Sequence, residues 1–487
     1  MANQVNGYSY DRSHVKAGIL HFGVGNFHRA HLEFMTNKLL ENGSQQQWGI
    51  CGAMILPGDE HLYHALKKQD GKYTLTVCGR DDSIHVYRLG ALVELYWGME
   101  EQENILDKIA SKDIKIITLT ITEGGYNISR QNGEFMLDNE QVAHDLSHPK
   151  QPHTVFGYVT EGLRRRMAAG NGPVTILSCD NLQHNGNTAR KAFMTFVKAQ
   201  DEELAKWMEE HVTFPNSMVD RITPATRPDD VARLNEQNGT HDEAPVYCED
   251  FIQWVVEDRF AAGRPQWETV GAQMTDDVAA FENMKLSLLN ASHTLLSYPS
   301  FLGGYRKVDA AMHDGRIQQL VRAFMDKDIT PYVPAPAGTD LEEYKQTLVE
   351  RFGNSMVSDQ VSRLCFDGAS KFPVYVMPNL QKMVEDDASG RRTDVELKRM
   401  AYLFATYRHY LKYRCDDSGN RFDVADPWLT DADWKLIHSD DATEFLGMSA
   451  FTAIDLKAYP HFVRIYLDMV EAIRQDGAMK VLEDRVL

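Results

Sequence analysis

Between positions 285 and 293 the chain reads Lys-Leu-Ser-Leu-Leu-Asn-Ala-Ser-His, and Lys285, Asn290 and His293 interrupt an otherwise apolar run. At 100° per residue on a regular helix the three side chains fall within an arc of roughly 140°, so one face can hold them all. An amine beside leucines is desolvated, which lowers its pKa from about 10.4 toward roughly 7–8, where a lysine accepts protons near neutrality. Lys285 is therefore a candidate general base. Taking a proton from an alcohol oxygen while hydride leaves carbon builds alkoxide character, which fixed neutral donors stabilise. Asn290 is one such donor, and Asn181, in Ser178-Cys-Asp-Asn181 after an apolar strand, is a second. His293 is suited to orienting a hydroxyl or sharing its proton. Taken singly, each has a duller explanation: a snorkelling lysine, a helix-surface asparagine, a histidine satisfied in a core. Their combination is more specific, but spacing alone does not name the reaction. Glu282, one turn before Lys285, reads as a solvated acid or a proton exit, and a close ion pair with Lys285 would raise the lysine pKa and count against the base.

A second constellation lies near the N-terminus. Gly23-Val24-Gly25, followed by Asn26 and Phe27, sits where a first strand turns into a helix, and bare backbone there lets amides approach a pyrophosphate. His28 takes the place of the third glycine of the usual fingerprint, so the motif alone is weak and a plain tight turn competes with dinucleotide binding. Asp59, beyond a second strand, is placed to bond the adenosine ribose and repel a 2′-phosphate, selecting NAD over NADP; its alternative is an ordinary loop acid.

These residues need elements to hold them. AGILHF from Ala17, WGICGAMIL from Trp48, IKIITLTIT ending before Glu123-Gly124-Gly125, and VTILSC (174–179) read as strands. Helical patterns separate them, which predicts a mainly parallel α/β sheet with ligands beyond the strands' carboxyl ends. After about Asp277 long helical patterns take over, among them AAFENMKLSLLNASHTLLSYPSFLGGY and LEEYKQTLVERF, with turns at TPYVPAPAGTD, EDDASGRRTD and CDDSGNRFD. The expected fold class is α/β: a Rossmann-like dinucleotide-binding domain over 1–277 and a mostly α-helical substrate and catalytic domain over 278–487.

The bulk properties exclude several function classes. At 487 residues the chain is too long for one ordinary core. Its net charge of −19 repels phosphate backbones and anionic lipid, and no basic block compensates. The six cysteines lie at least 27 positions apart, without the clustering that builds zinc sites or disulfide frameworks, so no metal is expected. The polar start and the lack of any run of 18 apolar residues point to a reduced cytoplasmic protein.

Together, GVGNFHRAH (23–31), TITEGGY (120–126), SCDN with its following NG (178–186), FPNSMVDRITP (214–224), the 285–293 segment and DGASKFP (367–373) resemble the polyol-specific long-chain dehydrogenase family, in order along nearly the whole chain. That resemblance implies an N-terminal dinucleotide-binding domain, a helical C-terminal domain, and metal-free interconversion of D-mannitol and D-fructose with NAD, in a protein that is a monomer. By position it implies Lys285 as general base, Asn181 and Asn290 holding the reacting oxygen, and His293 binding substrate. It further implies that Asp220, Arg363 and Lys371 contact polyol hydroxyls, that Glu123 borders the nicotinamide, and that Asp59 discriminates against NADP. Two departures stand out: Gly58 precedes Asp59 where some relatives carry a second acid, which softens the rejection of NADP, and Asn290-Ala291-Ser292 replaces the commoner Asn-Gly-Ser.

Several rivals stay open on the sequence. Within the family, a fructuronate reductase would use Arg363 or Lys371 for the substrate carboxylate, although SKFP at 370–373 sides with the mannitol branch, and arabinitol or sorbitol are alternative substrates. From other classes, a non-catalytic NAD-binding regulator is opposed by the intact Lys285, Asn181 and Asn290, and a zinc alcohol dehydrogenase by the cysteine spacing.

Overall fold

Six short apolar runs pair into one parallel sheet: β1 (Ala17–Phe22), β2 (Gly49–Met54), β3 (Leu92–Trp97), β4 (Ile116–Leu119), β5 (Val174–Ser178) and β6 (Val212–Thr213). The spatial order is β3-β2-β1-β4-β5-β6, with every neighbouring pair parallel. The four inner strands, buried on both faces, are apolar almost throughout, and parallel neighbours need crossover connections. The crossovers are α1 (Asn26–Ala30) and α2 (Leu32–Leu40) after β1, α3 (Gly98–Ala110) after β3, α4 (Glu140–Ser147) and α5 (Val155–Ala168) after β4, and α6 (Asn185–Gln200) after β5. Successive strand residues enter opposite cores: Ile19, Ile116 and Leu177 join one cluster, Leu20, Ile117 and Ile176 the other. The order reverses between β1 and β4, which opens a crevice at their carboxyl ends.

This computed structural model describes residues 2–129, 132–357 and 359–487. The chain divides into two compact units, Met1–Ala279 and Ala280–Leu487. The first unit carries more antiparallel structure than the sequence suggests. Tyr73–Cys78 and Ile84–Leu89 form a hairpin, extended by Val5–Asn6 and Val246–Glu249 into a four-stranded sheet, while Ser217–Asp220, Gln253–Glu257 and Gln273–Thr275 form a third sheet.

Among the described residues no strand follows Thr275, apart from isolated bridges, so the second unit is helical. There α7 (Val278–Lys285) runs through a π-helical segment, Leu286–Asn290, into α8 (Ala291–Leu302). Further along are α9 (Leu341–Phe352), α10 (Lys398–Tyr413) and α11 (Pro460–Asp476), and α10 packs on both α8 and α11. An aromatic core of Tyr298, Phe372, Phe404, Tyr407 and Phe451 ties α8 to α10. The six cysteines are free, and among the described residues no helix is long and apolar enough to cross a membrane.

Candidate active site

The turn from β1 into α1 is built around a glycine that nothing can replace. Gly23 has φ +93°, and a Cβ there would lie 2.0 Å from the Thr120 carbonyl oxygen. Its own carbonyl accepts a 2.6 Å bond from Thr120 Oγ1 and lies 3.0 Å from His21 Nε2. Gly25 differs: a Cβ there would meet only Gly23 O at 3.9 Å, so the backbone is bare on the open side, where a phosphate can approach. Asn26 and Phe27 brace the turn. Asn26 donates to Pro224 O and Thr226 Oγ1 and accepts from Arg29, while Phe27 stacks on His31. His28, standing where a third glycine usually packs helix on strand, is fully buried and lies flat on His21, ring centroids 3.4 Å apart. Two stacked imidazoles thus give the close helix–strand contact that a glycine provides elsewhere.

The loops after β4 and β5 carry Glu123 and Asn181, both exposed. A residue that sequence reasoning passed over fastens them together. Asp180 accepts from the backbone amides of Ile121 (3.0 Å) and Thr122 (2.8 Å) and from the Tyr126 hydroxyl (2.7 Å). Burial pushes its carboxyl up to about 6 even though those three donors pull the other way. Thr122 at φ +63° and His184 at φ +48° hold left-handed backbone in these same loops, a conformation that non-glycine residues keep only where the surroundings enforce it. Asp59 closes the 3-10 turn Pro57–Asp59 beyond β2, half-buried, with Oδ2 accepting from Leu56 N at 2.9 Å. Burial raises its pKa against that bond. Asp220 ends the strand Ser217–Asp220 and is buried.

In the second unit Lys285 is 7% exposed and Glu282 5%. The solvated-acid reading of Glu282 is therefore corrected: three residues before Lys285 on one helix, it shares the buried face. The regular-helix geometry is corrected as well. The π segment places one extra residue in the turn between Lys285 and Asn290, a lag of about 100° that narrows the arc holding Lys285, Asn290 and His293 to about 60°. Oδ1 of Asn290 is buried without a hydrogen-bond partner, an acceptor left open for a ligand hydroxyl. His293 stacks on Phe352 at 4.1 Å, and burial drives its pKa down to about 3, helped by Arg363, Arg351 and Lys371 and opposed by Asp359. It is neutral in the working range.

Arg363 and Lys371 belong to this neighbourhood but are already engaged. Arg363 pairs with Asp359 (Nε to Oδ1 2.8 Å), and that bond raises its pKa. Lys371 donates to the carbonyls of Leu364 (2.9 Å) and Phe366 (2.7 Å) and pairs with Asp367 at 2.7 Å. An ammonium has three donors, so Lys371 here pins the 363–367 segment.

Residues 17–269 match the mannitol dehydrogenase Rossmann domain and residues 277–474 the mannitol dehydrogenase C-terminal domain. The chain belongs to the mannitol dehydrogenase family. Among its family relatives, the polyol:NADP oxidoreductase of Gluconobacter oxydans is 41% identical, covering 91% of this chain and 90% of its own, and the mannitol 2-dehydrogenase of Aspergillus fumigatus 36% identical, covering 96% and 93%. A solved Pseudomonas fluorescens mannitol 2-dehydrogenase, a ternary complex with NAD and D-mannitol, superimposes with TM-score 0.86 at 39% identity over 100% of this chain and 97% of that one. A D-sorbitol dehydrogenase in substrate-free form gives 0.90 at 39% identity over 98% and 97%. Within this mannitol dehydrogenase family fold, Asp180, Asp359 and His21 are the residues the sequence did not single out. The only sequence signal for His21 is a polar side chain inside the apolar strand AGILHF.

Proposed function

We propose that this chain is an NAD-dependent, metal-free polyol dehydrogenase that interconverts D-mannitol and D-fructose, with a lysine as its base. The observation that carries the reading is a buried Lys285 on the same helical run as half-buried Asn290, with its open Oδ1, and half-buried His293. The relatives' names, and the NAD and D-mannitol of the Pseudomonas complex, support the choice of cofactor and substrate.

The bare backbone at Gly25 and the open acceptor at Asn290 suit a dinucleotide and a hydroxylated substrate respectively. NAD, when bound, supplies the hydride acceptor. Gly23, Gly25, Asn26 and Phe27 receive its phosphates, Asp59 its adenosine ribose, and Glu123 borders its nicotinamide end. Lys285, as neutral amine, withdraws the proton from the substrate's secondary hydroxyl. Asn181 and Asn290 hold the oxygen as it gains negative charge by donating from their Nδ2 groups, while the open Oδ1 of Asn290 accepts from a neighbouring substrate hydroxyl; neither carboxamide needs a charge change of its own. His293, neutral, orients the hydroxyl next to the reacting carbon. Asp220 and Arg363 take the outer hydroxyls, and Lys371 contacts substrate or fixes the loop that bears Arg363. Residues 1–277 form the dinucleotide-binding domain and 278–487 the catalytic one, in a cytoplasmic monomer.

Asp359 already partners Arg363, which leaves less uncompensated positive charge for a substrate carboxylate and speaks against a fructuronate reductase. An absorbance assay for NAD reduction across D-mannitol, D-arabinitol, D-sorbitol and D-mannonate tests the reading. The expected result is highest kcat/KM on D-mannitol, unchanged after chelator treatment. A clear preference for D-mannonate, or activity abolished by the chelator, overturns it.

A further inference from the structure

The crossover from β4 to β5 contains a cluster that the proposed reaction does not use. Helix α4 closes with Ala-His-Asp-Leu-Ser and is capped by His148, and the chain returns through Pro152-His153-Thr154 into α5. This spacing brings His144, Asp145, His148 and His153 together. The rings of His144 and His153 are stacked 3.9 Å apart and 4° from parallel, and His148 stacks on His144 at 4.6 Å. His144 Nδ1 lies 3.1 Å from Asp145 Oδ1, and one ligand atom from each of His144, Asp145 and His153 falls within 4.8 Å of the others.

The carboxylate is fixed by three donors from the chain, and its remaining site faces His144, where an ion would take the place of the His144 contact. Asp145 is fully buried; Oδ1 accepts from His153 N, and Oδ2 accepts from the backbone and hydroxyl of Thr154, which caps α5. Such bonds to the outer side of a ligand fix its direction. His153 is exposed and His144 partly so, which leaves an entry path from solvent. Capping α5 requires only the aspartate and the threonine and gives no reason for three stacked imidazoles.

We propose that His144, Asp145 and His153 form a binding site for a divalent transition-metal ion, with His148 or water as fourth ligand. Two or three imidazoles and one carboxylate suit Zn²⁺, Ni²⁺ or Cu²⁺, whereas Mg²⁺ and Ca²⁺ take oxygen ligands. Tetrahedral bonds of about 2.0–2.1 Å put ligand atoms about 3.3 Å apart, so the His144 and His153 rings must leave their parallel stack and turn toward the ion as it binds. The ion fastens α4 to α5 and takes no part in hydride transfer.

The test is calorimetric titration of ZnCl2, NiCl2 and MgCl2 into full-length protein stripped with chelator and desalted. The expected outcome is one Zn²⁺ or Ni²⁺ per chain at micromolar Kd, no Mg²⁺ binding, and a melting temperature raised by about 3 °C at a hundredfold excess over Kd. His153→Ala and His144→Ala each weaken Zn²⁺ at least tenfold and leave polyol oxidation unchanged. Absence of saturable binding overturns the proposal, as do variants that bind like the parent. Because stripped protein retains its dehydrogenase activity under the reaction proposed above, failure here is distinguishable from failure of that reaction.

Discussion

At the scale of single residues, the case rests on a lysine amine and a carboxamide oxygen removed from bulk water. Lys285 is buried at 7% exposure, and Asn290 presents an unpartnered Oδ1 on the same narrow arc. If Lys285 is the base, Lys285→Ala lowers turnover by several orders of magnitude while NADH still binds, which stopped-flow turnover and fluorescence titration separate. A variant with near-normal turnover would refute the assignment. Asn290→Ala and Asn181→Ala each lower kcat by about 10²–10³ if they hold the oxygen as it gains charge. The pH profile adds an independent check. Burial holds the His293 pKa down near 3, so this ring does not titrate where the enzyme works. If Lys285 is the base, the profile of kcat/KM has an acidic limb to which His293 does not contribute, and His293→Gln lowers the plateau without moving that limb's midpoint. A displaced or missing limb in His293→Gln would make the histidine the titrating group.

At the scale of elements, what matters is how strand ends and a helix irregularity aim these groups. Asp180 accepts from two consecutive backbone amides and so fixes the loop that bears Glu123 against its own neighbour Asn181. Asp180→Asn turns one acceptor into a donor facing an amide, a loss of about 1–3 kcal/mol, and NADH affinity falls with it. The sign of the pH effect follows from a carboxyl pushed up to about 6 by burial from its ordinary 3.8. Stability from this group is full below 3.8 and is lost as pH rises through 6. The deficit of Asp180→Asn relative to the parent is therefore largest near pH 4 and shrinks toward pH 7, as thermal melts across that range would record; a constant deficit would contradict it. This level is also where the sequence was only partly readable. Strand positions were legible because buried parallel strands are apolar on both faces, and the glycine turn because only Gly23 tolerates the contact with Thr120. Asp180 was not, since its importance lies in amides of a loop nearly sixty residues away that no local pattern reports. Nor was the π segment: its apolar spacing resembles that of an ordinary buried helix, and the extra residue per turn appears only in the hydrogen bonding. The antiparallel strands Ser217–Asp220 and Gln253–Glu257 lay outside the repeating strand–helix pattern from which the sheet was read.

At the scale of the whole molecule, the two units carry different sets of candidate residues. Met1–Ala279 holds the glycine turn, the switch-point loops and Asp59; Ala280–Leu487 holds Lys285, Asn290, His293, Arg363 and Lys371. If that division is functional, ligands order the units in sequence. Hydrogen exchange separates the steps, because amides in loops open and close with little cost until a ligand holds them. NADH alone is expected to slow exchange in 23–31, 120–126 and 178–186 and to leave 285–293 and 363–371 unchanged. Adding D-mannitol to the enzyme with NADH then slows exchange in the second pair of segments. The loop after β4 is the most telling reporter, since left-handed Thr122 is held there only by its surroundings and Asp180. Protection of 285–293 by NADH in the absence of polyol would mean that the dinucleotide acts on the helical unit directly. Protection of 23–31 by D-mannitol alone would mean that the polyol needs no cofactor to engage the first unit, and either result would replace the division of labour argued from the sequence.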